Sequence, residues 1–461
     1  MTMKYHLRLT EDQHRALREH LFPGDGLEAI ALILCGRRAG SERHILLGRE
    51  VRPVPYFQCR VREVDRVTWS TLELPPLLEA ASKPHFGILK VHSHPGWYGR
   101  FSEFDERSDR EILGSAHSWL EDTLPHGSAV MLPDGRMFGR VLDAQGVFTP
   151  MESVAVVGDD VVQWFADPAG DLPDHAARTA QAFGAGTTAL LGRLSIAVVG
   201  CSGTGSLVIQ ALHGLGVGRL VLIDPDLMKI ENLDRIPQAT RDDVEAGTKK
   251  VKVMDGAIAR ARLGSTTVVP IDLRIENPQA IRAVAGCDFV VGCMDGAEGR
   301  DTLNRLTTFY NLPYVDAGVR LDSDGKGGVN QVLGAIHYLQ PGGSSLRSRR
   351  VYTSDDVRAE RLLRTAPEAF ARERKEGYIK GVREDRPAVI SVNMQVAAMA
   401  VNEVLARLHP YRDDPNSEYA SYKVSLTQGH LYRAQDGEPC KILAREVGRG
   451  DVEPILDRPE D

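Results

Sequence analysis

What the sequence lacks narrows its reading first. Its six cysteines, at 35, 59, 201, 287, 293 and 440, form no C-x-x-C pair, which argues against a disulfide scaffold, a redox dithiol and the common zinc ribbon. No window approaches the roughly 20 consecutive apolar residues of a membrane span. The opening MTMKYHLRLTEDQ has no apolar leader core, so the expected compartment is cytoplasmic, with no membrane partner. Charge of one sign is missing too: 56 Lys and Arg are interspersed with 63 Asp and Glu, for a net charge of −7. That leaves neither a basic field for nucleic acid nor an acidic tail. What is present is 461 residues, 42% hydrophobic and 26% charged, enough for two or three globular domains.

Along the chain, a helical pattern at 11–21 stops at Pro23-Gly24-Asp25-Gly26 and leads into a buried apolar strand at 29–34. Strand patterns follow at 45–47, 62–69, 86–91 and 129–132, with helices at 74–81 and 103–118. Strands and helices mix without alternating, which predicts an α+β domain over 1–160. The Asp/Pro/Gly-rich stretch 159–173 has linker composition, and 161–190 is expected to hold a linker and a helix. From 191 to about 435 the order becomes strand, glycine loop, helix, strand, with further crossover helices at 249–263 and 278–285. This predicts an α/β, Rossmann-like, doubly wound parallel sheet. An Arg/Glu/Asp-dense segment at 346–386 reads as a solvated helix pair with a loop around Gly377 and Gly381. An amphipathic helix at 390–408 then packs its Val/Met/Ala face, and 436–461 reads as a carboxy-terminal tail.

Two stretches carry chemistry. In the first, Val91-His92-Ser93-His94-Pro95 is followed by Ser102 and Asp105. Histidines two apart in extended chain point to one side, and a carboxylate from the next helix can complete three ligands. Three ligands and an open position are the catalytic arrangement for zinc. An H-x-H pair alone is an ordinary surface or core feature; its weight here comes from the neighbours. Such a site also needs a carboxylate off the metal to move protons. Glu28 is the candidate, with Glu50 as the alternative.

This constellation, a Glu before an early strand followed by H-S-H-P and S-x-x-D, resembles the JAB/MPN/JAMM metalloprotease family over about residues 5–155. The resemblance implies an α+β JAB/MPN domain in which His92, His94 and Asp105 bind zinc. Glu28 would be the general acid/base, and Ser102 would stabilise the tetrahedral oxyanion. The implied activity is peptide or isopeptide cleavage at the carboxyl terminus of ubiquitin-like proteins.

In the second stretch, strand 195–199 runs into Gly200-Cys201-Ser202-Gly203-Thr204-Gly205-Ser206 and a helix, an arrangement that lets backbone N–H groups approach phosphate. The spacing is not the usual dinucleotide G-x-G-x-x-G. Asp224 ends the next strand where it could hold a ribose hydroxyl. Downstream lie Asp226, Glu231-Asn232-Leu233-Asp234-Arg235, Lys249-Lys250, and Asp295 with Arg300 and Asn304. Cations, an amide and a carboxylate around a nucleotide suit adenylation better than hydride transfer.

These motifs resemble, in order, those of the ubiquitin-activating superfamily of ThiF, MoeB and HesA type. Carried over, Gly200, Gly203, Gly205 and Ser206 would form the phosphate loop and Asp224 and Asp226 the D-x-D. Asn232, Arg235 and Lys250 would contact phosphates of ATP, and Asp295 would hold Mg²⁺. HAARTAQAFG makes Arg178 a candidate arginine finger acting across a homodimer. The departures are Ser202 for a loop glycine, Gly296 for Asn, and Thr179 for Gln. Where family members carry C-x-x-C after Pro341-Gly342, this chain has Ser345 and Ser348, so a second, structural zinc is not expected. Cys440 is the single thiol beyond Asp295, a weak thioester candidate.

Together the resemblances imply one chain that trims or removes a ubiquitin-like protein and adenylates its terminal glycine carboxylate. A separate conjugating enzyme, in a bacterial pathway of antiviral defence, would take the product. The alternatives are processing and activation of a sulfur-carrier protein with a sulfur donor, and a scaffold that binds nucleotide and zinc without turnover.

Overall fold

The computed structural model describes the chain except residues 1–2, 83–85, 122, 169, 171–173, 262, 325, 377–378, 380–387 and 459–461. Gly377, Gly381 and the last three residues of the Asp/Pro/Gly-rich stretch lie outside the described residues. The chain divides into two compact units. The first comprises Met1–Pro168, Thr308–Asn311 and Arg445–Arg458, and the second Ala169–Thr307 with Leu312–Ala444.

The first unit runs Lys4–Thr10 (β1), Glu11–Leu21 (α1), Ile30–Arg38 (β2), Arg43–Pro53 (β3), Cys59–Arg62 (β4) and Val67–Trp69 (β5). It continues with Leu74–Ala81 (α2), Gly87–Ser93 (β6), Glu103–Leu120 (α3), His126–Met131 (β7), Met137–Leu142 (β8), Phe148–Val157 (β9) and Val161–Phe165 (β10). The sheet order is β1-β3-β2-β6-β7-β8-β9-β10, and a further β1–β9 pairing closes the ladder on itself. β2 shows why its apolar run is unbroken. Ala29, Ala31, Ile33 and Cys35 face the core that includes Leu17 and Leu21 of α1, while Ile30, Leu32 and Leu34 face Leu77, Ile112 and Leu113 of α2 and α3. A strand covered on both faces has no polar side.

Three local readings change. The run 62–69 is not one strand, because Glu63 to Arg66 turns back, with Glu63 N–H donating to Arg66 O at 2.8 Å, and splits it into the β4–β5 hairpin. Within the linker-like stretch, Val161–Phe165 pairs antiparallel with β9, since V-V-Q-W-F offers apolar surface that composition averaged over its Asp and Gly neighbours conceals. Residues 445–458, read from sequence as part of a tail, belong to the first unit. Gly36 N–H donates to Gly448 O at 3.1 Å and Asp451 N–H to Arg37 O at 2.7 Å.

The second unit begins with Ala177–Leu191 (α4), Ser195–Val199 (β11), Gly203–Gly214 (α5), Arg219–Ile223 (β12), Arg241–Glu245 (α6), Lys250–Ala261 (α7), Thr267–Ile271 (β13), Pro278–Ala285 (α8) and Phe289–Gly292 (β14). It ends with Ala297–Phe309 (α9), Tyr314–Ser323 (β15), Val329–Leu339 (β16), Ser354–Thr365 (α10), Pro367–Lys375 (α11), Ile390–Leu408 (α12), Ser421–Ser425 (β17) and His430–Ala434 (β18). The sheet order is β13-β12-β11-β14-β15-β16-β17-β18. β13 through β15 are parallel, as the crossover helices predict, and β16 to β18 continue the sheet antiparallel. α12 packs on α5, β15 and β16. Among the described residues no helix is long and apolar enough to cross a membrane.

The clasp of 445–458 on the first unit gives a direct test. Gly448 has φ +64°, and a Cβ there would lie 2.0 Å from Gly48 O. Gly448→Val should therefore destabilise the protein by more than about 1 kcal/mol. In urea unfolding this appears as a lower midpoint; an unchanged midpoint would contradict the packing.

Candidate functional site

The first cluster is assembled by strand register. In the antiparallel β2–β6 pair Ile30 stands opposite His92, which brings Glu28 level with His94. Two bonds lock this crossing: Ser93 N–H donates to Ala29 O at 3.1 Å, and Ala29 N–H to Ser93 Oγ at 2.9 Å. Asp105 arrives from the first turn of α3, where Ser102 is the N-cap. Ser102 Oγ accepts from Asp105 N–H at 3.1 Å, and both the N–H and the hydroxyl of Ser102 donate to Asp105 Oδ2 at 2.7 Å. This reciprocal cap fixes the carboxylate's direction.

The donor atoms converge. His92 Nε2 lies 3.0 Å from His94 Nε2 and 3.0 Å from Asp105 Oδ1, and His94 Nε2 is 3.6 Å from Asp105 Oδ2. Tetrahedral ligands at about 2.0–2.1 Å from zinc stand about 3.3–3.4 Å apart, so this donor set fits one zinc ion with an open position. Among the described residues these three alone form such a group. His94 Nδ1 is tied to Tyr98 O at 2.6 Å, which directs Nε2 toward the other ligands.

The charges are arranged in opposition. Burial pushes the Asp105 carboxyl up, but hydrogen bonds from His92 and His94 outweigh that and hold it well below the carboxylate range. Burial lowers His92; at His94 the bonds to Asp105 and Tyr98 overcome burial and raise it. Glu28, 4% exposed and 3.9 Å from His94 Nε2, is pushed up to about 8, chiefly by burial. It is therefore a carboxyl able to hold a proton near neutrality. Glu50 stands on β3 opposite Leu34 of β2, half-exposed and paired with Arg52 at 2.8 Å, away from this cluster.

The second cluster lies where the order of the parallel strands reverses, between β11 and β14, the place where open α/β sheets bind ligands. Gly200 has φ +91°, and a Cβ there would lie 2.7 Å from Cys293 O; a Cβ on Gly205 would lie 1.7 Å from Gly200 O. Only glycine allows the loop to fold this tightly over the strand ends. Among the described residues no side chain caps α5, so the N–H groups of its first turn face out of the helix end. Ser206 lies inside that turn, its hydroxyl donating to Gly203 O at 3.2 Å.

Asp224 braces the loop by accepting from Cys201 N–H at 2.7 Å and Asp226 N–H at 2.9 Å. Burial raises its pKa, partly offset by Lys250. Lys250, buried at the start of α7, pairs with Asp226 at 2.8 Å and reaches Asp224 at 4.0 Å. A Cβ on Gly203 would touch the Arg235 side chain at 3.3 Å, which places Arg235 at the same helix end. Asn232 is buried in the turn just before it and accepts from Lys229 N–H at 3.1 Å. Asp295 is exposed two residues beyond Cys293.

Arg178 is exposed near the start of α4, a helix broken at Gly184, and no contact among the described residues brings it to this crevice. Arg300 is held by Asp316 at 3.0 Å and Asn304 by Tyr352 at 2.6 Å. The hydroxyls of Ser345 and Ser348 bond each other's backbone N–H at 3.0 and 2.8 Å, and Cys440 is 5% exposed. One residue escaped the sequence reading. Asn393 of α12 would lie 2.4 Å from a Cβ on Gly203 and bonds Thr204 Oγ1 at 3.4 Å. Its signal was a polar residue on the packed face of an apolar helix.

A parallel sheet with a glycine loop between strand and helix at a strand-order reversal defines an α/β domain of Rossmann type. The model of the ThiF family matches residues 175–440, more than half of the chain, and the protein belongs to the ThiF family. It is 33% identical over 124 residues to the SAMP-activating enzyme E1 of Haloferax volcanii, covering 27% of this chain and 45% of that protein. It is 31% identical over 128 residues to the molybdopterin-synthase adenylyltransferase of Salmonella typhimurium, covering 28% and 50%. To adenylyltransferase and sulfurtransferase MOCS3 of Danio rerio it is 32% identical over 128 residues, covering 28% and 27%. The chain thus spans half or less of the length of these relatives. The family match begins after Glu28, His92, His94 and Asp105, whose reading rests on geometry.

The metal geometry predicts one zinc equivalent per chain, measured by titration of the metal-stripped protein. His92→Ala and Asp105→Ala should abolish that binding, whereas Glu28→Gln and Glu50→Gln should keep it.

Proposed function

We propose that the protein uses ATP to adenylate the carboxyl terminus of a small carrier protein ending in glycine. The observation that supports this is the uncapped α5 end beside the Lys250–Asp226 pair at the strand reversal. In this reading the N–H groups of Gly203, Thr204 and Gly205 take phosphate oxygens, Asp224 takes the ribose, and Asn232, Arg235 and Lys250 meet the phosphates. Asp295 would hold magnesium. A glycine carboxylate oxygen bonds to the α-phosphorus, the bond to the bridging oxygen breaks, and pyrophosphate leaves. The cations offset charge that grows along this path. Arg178 completes the site from the second copy of a homodimer.

Of the two outcomes for the adenylate, sulfur transfer is the better supported. One relative's name includes sulfurtransferase. The buried Cys440 also offers no exposed thiol to carry the acyl group within this chain. An external sulfur donor then attacks the acyl carbon and releases AMP. Transfer to a separate conjugating enzyme, as in an antiviral ubiquitin-like pathway, is the other outcome.

A second reading rests on the His92–His94–Asp105 convergence: the first unit is a zinc peptidase of JAB/MPN type that exposes the carrier's terminus. A bound zinc ion would supply Lewis acidity to a peptide carbonyl and to water. Glu28, 3.9 Å from His94, would accept a proton and return it to the leaving amine. Ser102 orients Asp105; its hydroxyl proton, given to Asp105 Oδ2 here, would have to turn away to meet an oxyanion.

Two experiments test these readings separately. With ATP, magnesium and a glycine-ended carrier, hydroxylamine should convert the carrier's terminus to a hydroxamate. Asp295→Ala or Lys250→Ala should lower that yield by about 10²-fold or more; no hydroxamate from the wild type would overturn the adenylation reading. A linear fusion ending in the carrier should be cut by the zinc-loaded protein and not by Glu28→Gln, which retains its metal. A non-catalytic scaffold would bind zinc and nucleotide yet fail both.

A further inference from the structure

His92 and His94 are oriented by different means. The His94 ring is fixed through Nδ1, whereas His92 Nδ1 is buried without a hydrogen-bond partner among the described residues. Metal-binding histidines are normally aimed by a bond at the second nitrogen. Something else must hold the His92 ring against α3.

The same face of β6 and the same side of α3 carry a buried ionic cluster. Lys90 precedes His92 by two residues, so both side chains leave the strand toward α3. Asp109 follows Asp105 by one helical turn. Lys90 Nζ meets Asp109 Oδ1 at 2.7 Å and Ser108 Oγ at 3.2 Å, while Arg140 of β8 meets Asp109 Oδ2 at 2.8 Å. The three side chains are 4%, 0% and 11% exposed. The Arg140 guanidinium carbon lies 3.9 Å over the Phe101 ring, and Phe101 stands 6.4 Å from the His92 ring. One cluster thus ties β6, α3, β8 and the residue just before Ser102.

Such a cluster is poor value for stability alone, because apolar side chains of the same volume often do as well or better. What apolar packing lacks is a fixed register between strand and helix. We infer that Asp109, clamped between Lys90 and Arg140, is a positioning residue that sets the register of α3 on β6 and so aims His92 and Asp105 at a common metal ion. This rests on the zinc reading proposed above, and its test separates the two.

Zinc affinity of the full chain is measured with a competing chelator, and ligand geometry from the visible bands of the cobalt-substituted protein. The triple variant Lys90→Met/Asp109→Leu/Arg140→Met should unfold cooperatively near the wild-type midpoint yet bind zinc about 10–100-fold more weakly, with shifted cobalt bands. Arg140→Lys keeps the charge and loses the planar fork and the ring stacking; it should weaken zinc severalfold and guards against failure of the triple variant to fold. A folded triple variant, or Arg140→Lys, with wild-type affinity and wild-type cobalt bands would overturn the positioning role. A wild-type chain that takes up neither zinc nor cobalt would overturn the zinc reading itself.

Discussion

A strand covered on both faces keeps its backbone from water along its length, so its polar groups are met by protein, and the chain can meet a ligand only where the strand ends. Both clusters of this protein depend on that constraint. β6 and β11 are buried along their whole length. At the end of β6 the obligation is met by Ser93 bonding Ala29 and by His94 bonding Met131 O, which presents two imidazoles inward. At the end of β11 it is met by Gly200 N–H on Ile223 O and Cys201 N–H on Asp224, which leaves the first turn of α5 unclaimed. Both clusters stand at the end of a buried strand.

The two places are electrostatic opposites. Around His92 and His94 the carboxylates divide their work: Asp105 is held ionised by the histidines, and Glu28, lacking such bonds, has its pKa raised by burial. Around the glycine loop the resident carboxylates are braced by backbone N–H groups and by Lys250, while the helix end contributes positive potential. The first arrangement suits a cation, the second a polyanion. In the proposed scheme they are consecutive, since cleavage leaves a terminal carboxylate and adenylation consumes one.

The sequence shows most where a physical period or an obligatory residue type is involved. His92 and His94 were legible because a spacing of two puts side chains on one face. The glycine loop was legible because positions 200 and 205 admit no Cβ, and the β11-to-β14 alternation because each parallel strand needs its crossover helix. Features made by distant pairing were not legible. The antiparallel extension ends in two five-residue strands, β17 and β18, the second exposed throughout, and the return of 445–458 to the first unit leaves no local mark. The Lys90–Asp109–Arg140 cluster shows only as a lysine in a buried strand, and its partners lie 19 and 31 residues beyond the residue each one meets. Ser102 illustrates a mixed case: its position was legible, while its reciprocal bonds to Asp105 needed the helix start to be seen.

The most direct measurement is ATP–pyrophosphate exchange with the purified full chain and a β-grasp carrier ending in diglycine. The account predicts exchange that requires the carrier's free terminal carboxylate and magnesium and that falls to background in Asp295→Asn. Absence of exchange with a carrier that demonstrably binds, or exchange undiminished when the carrier's terminus is amidated, would contradict it.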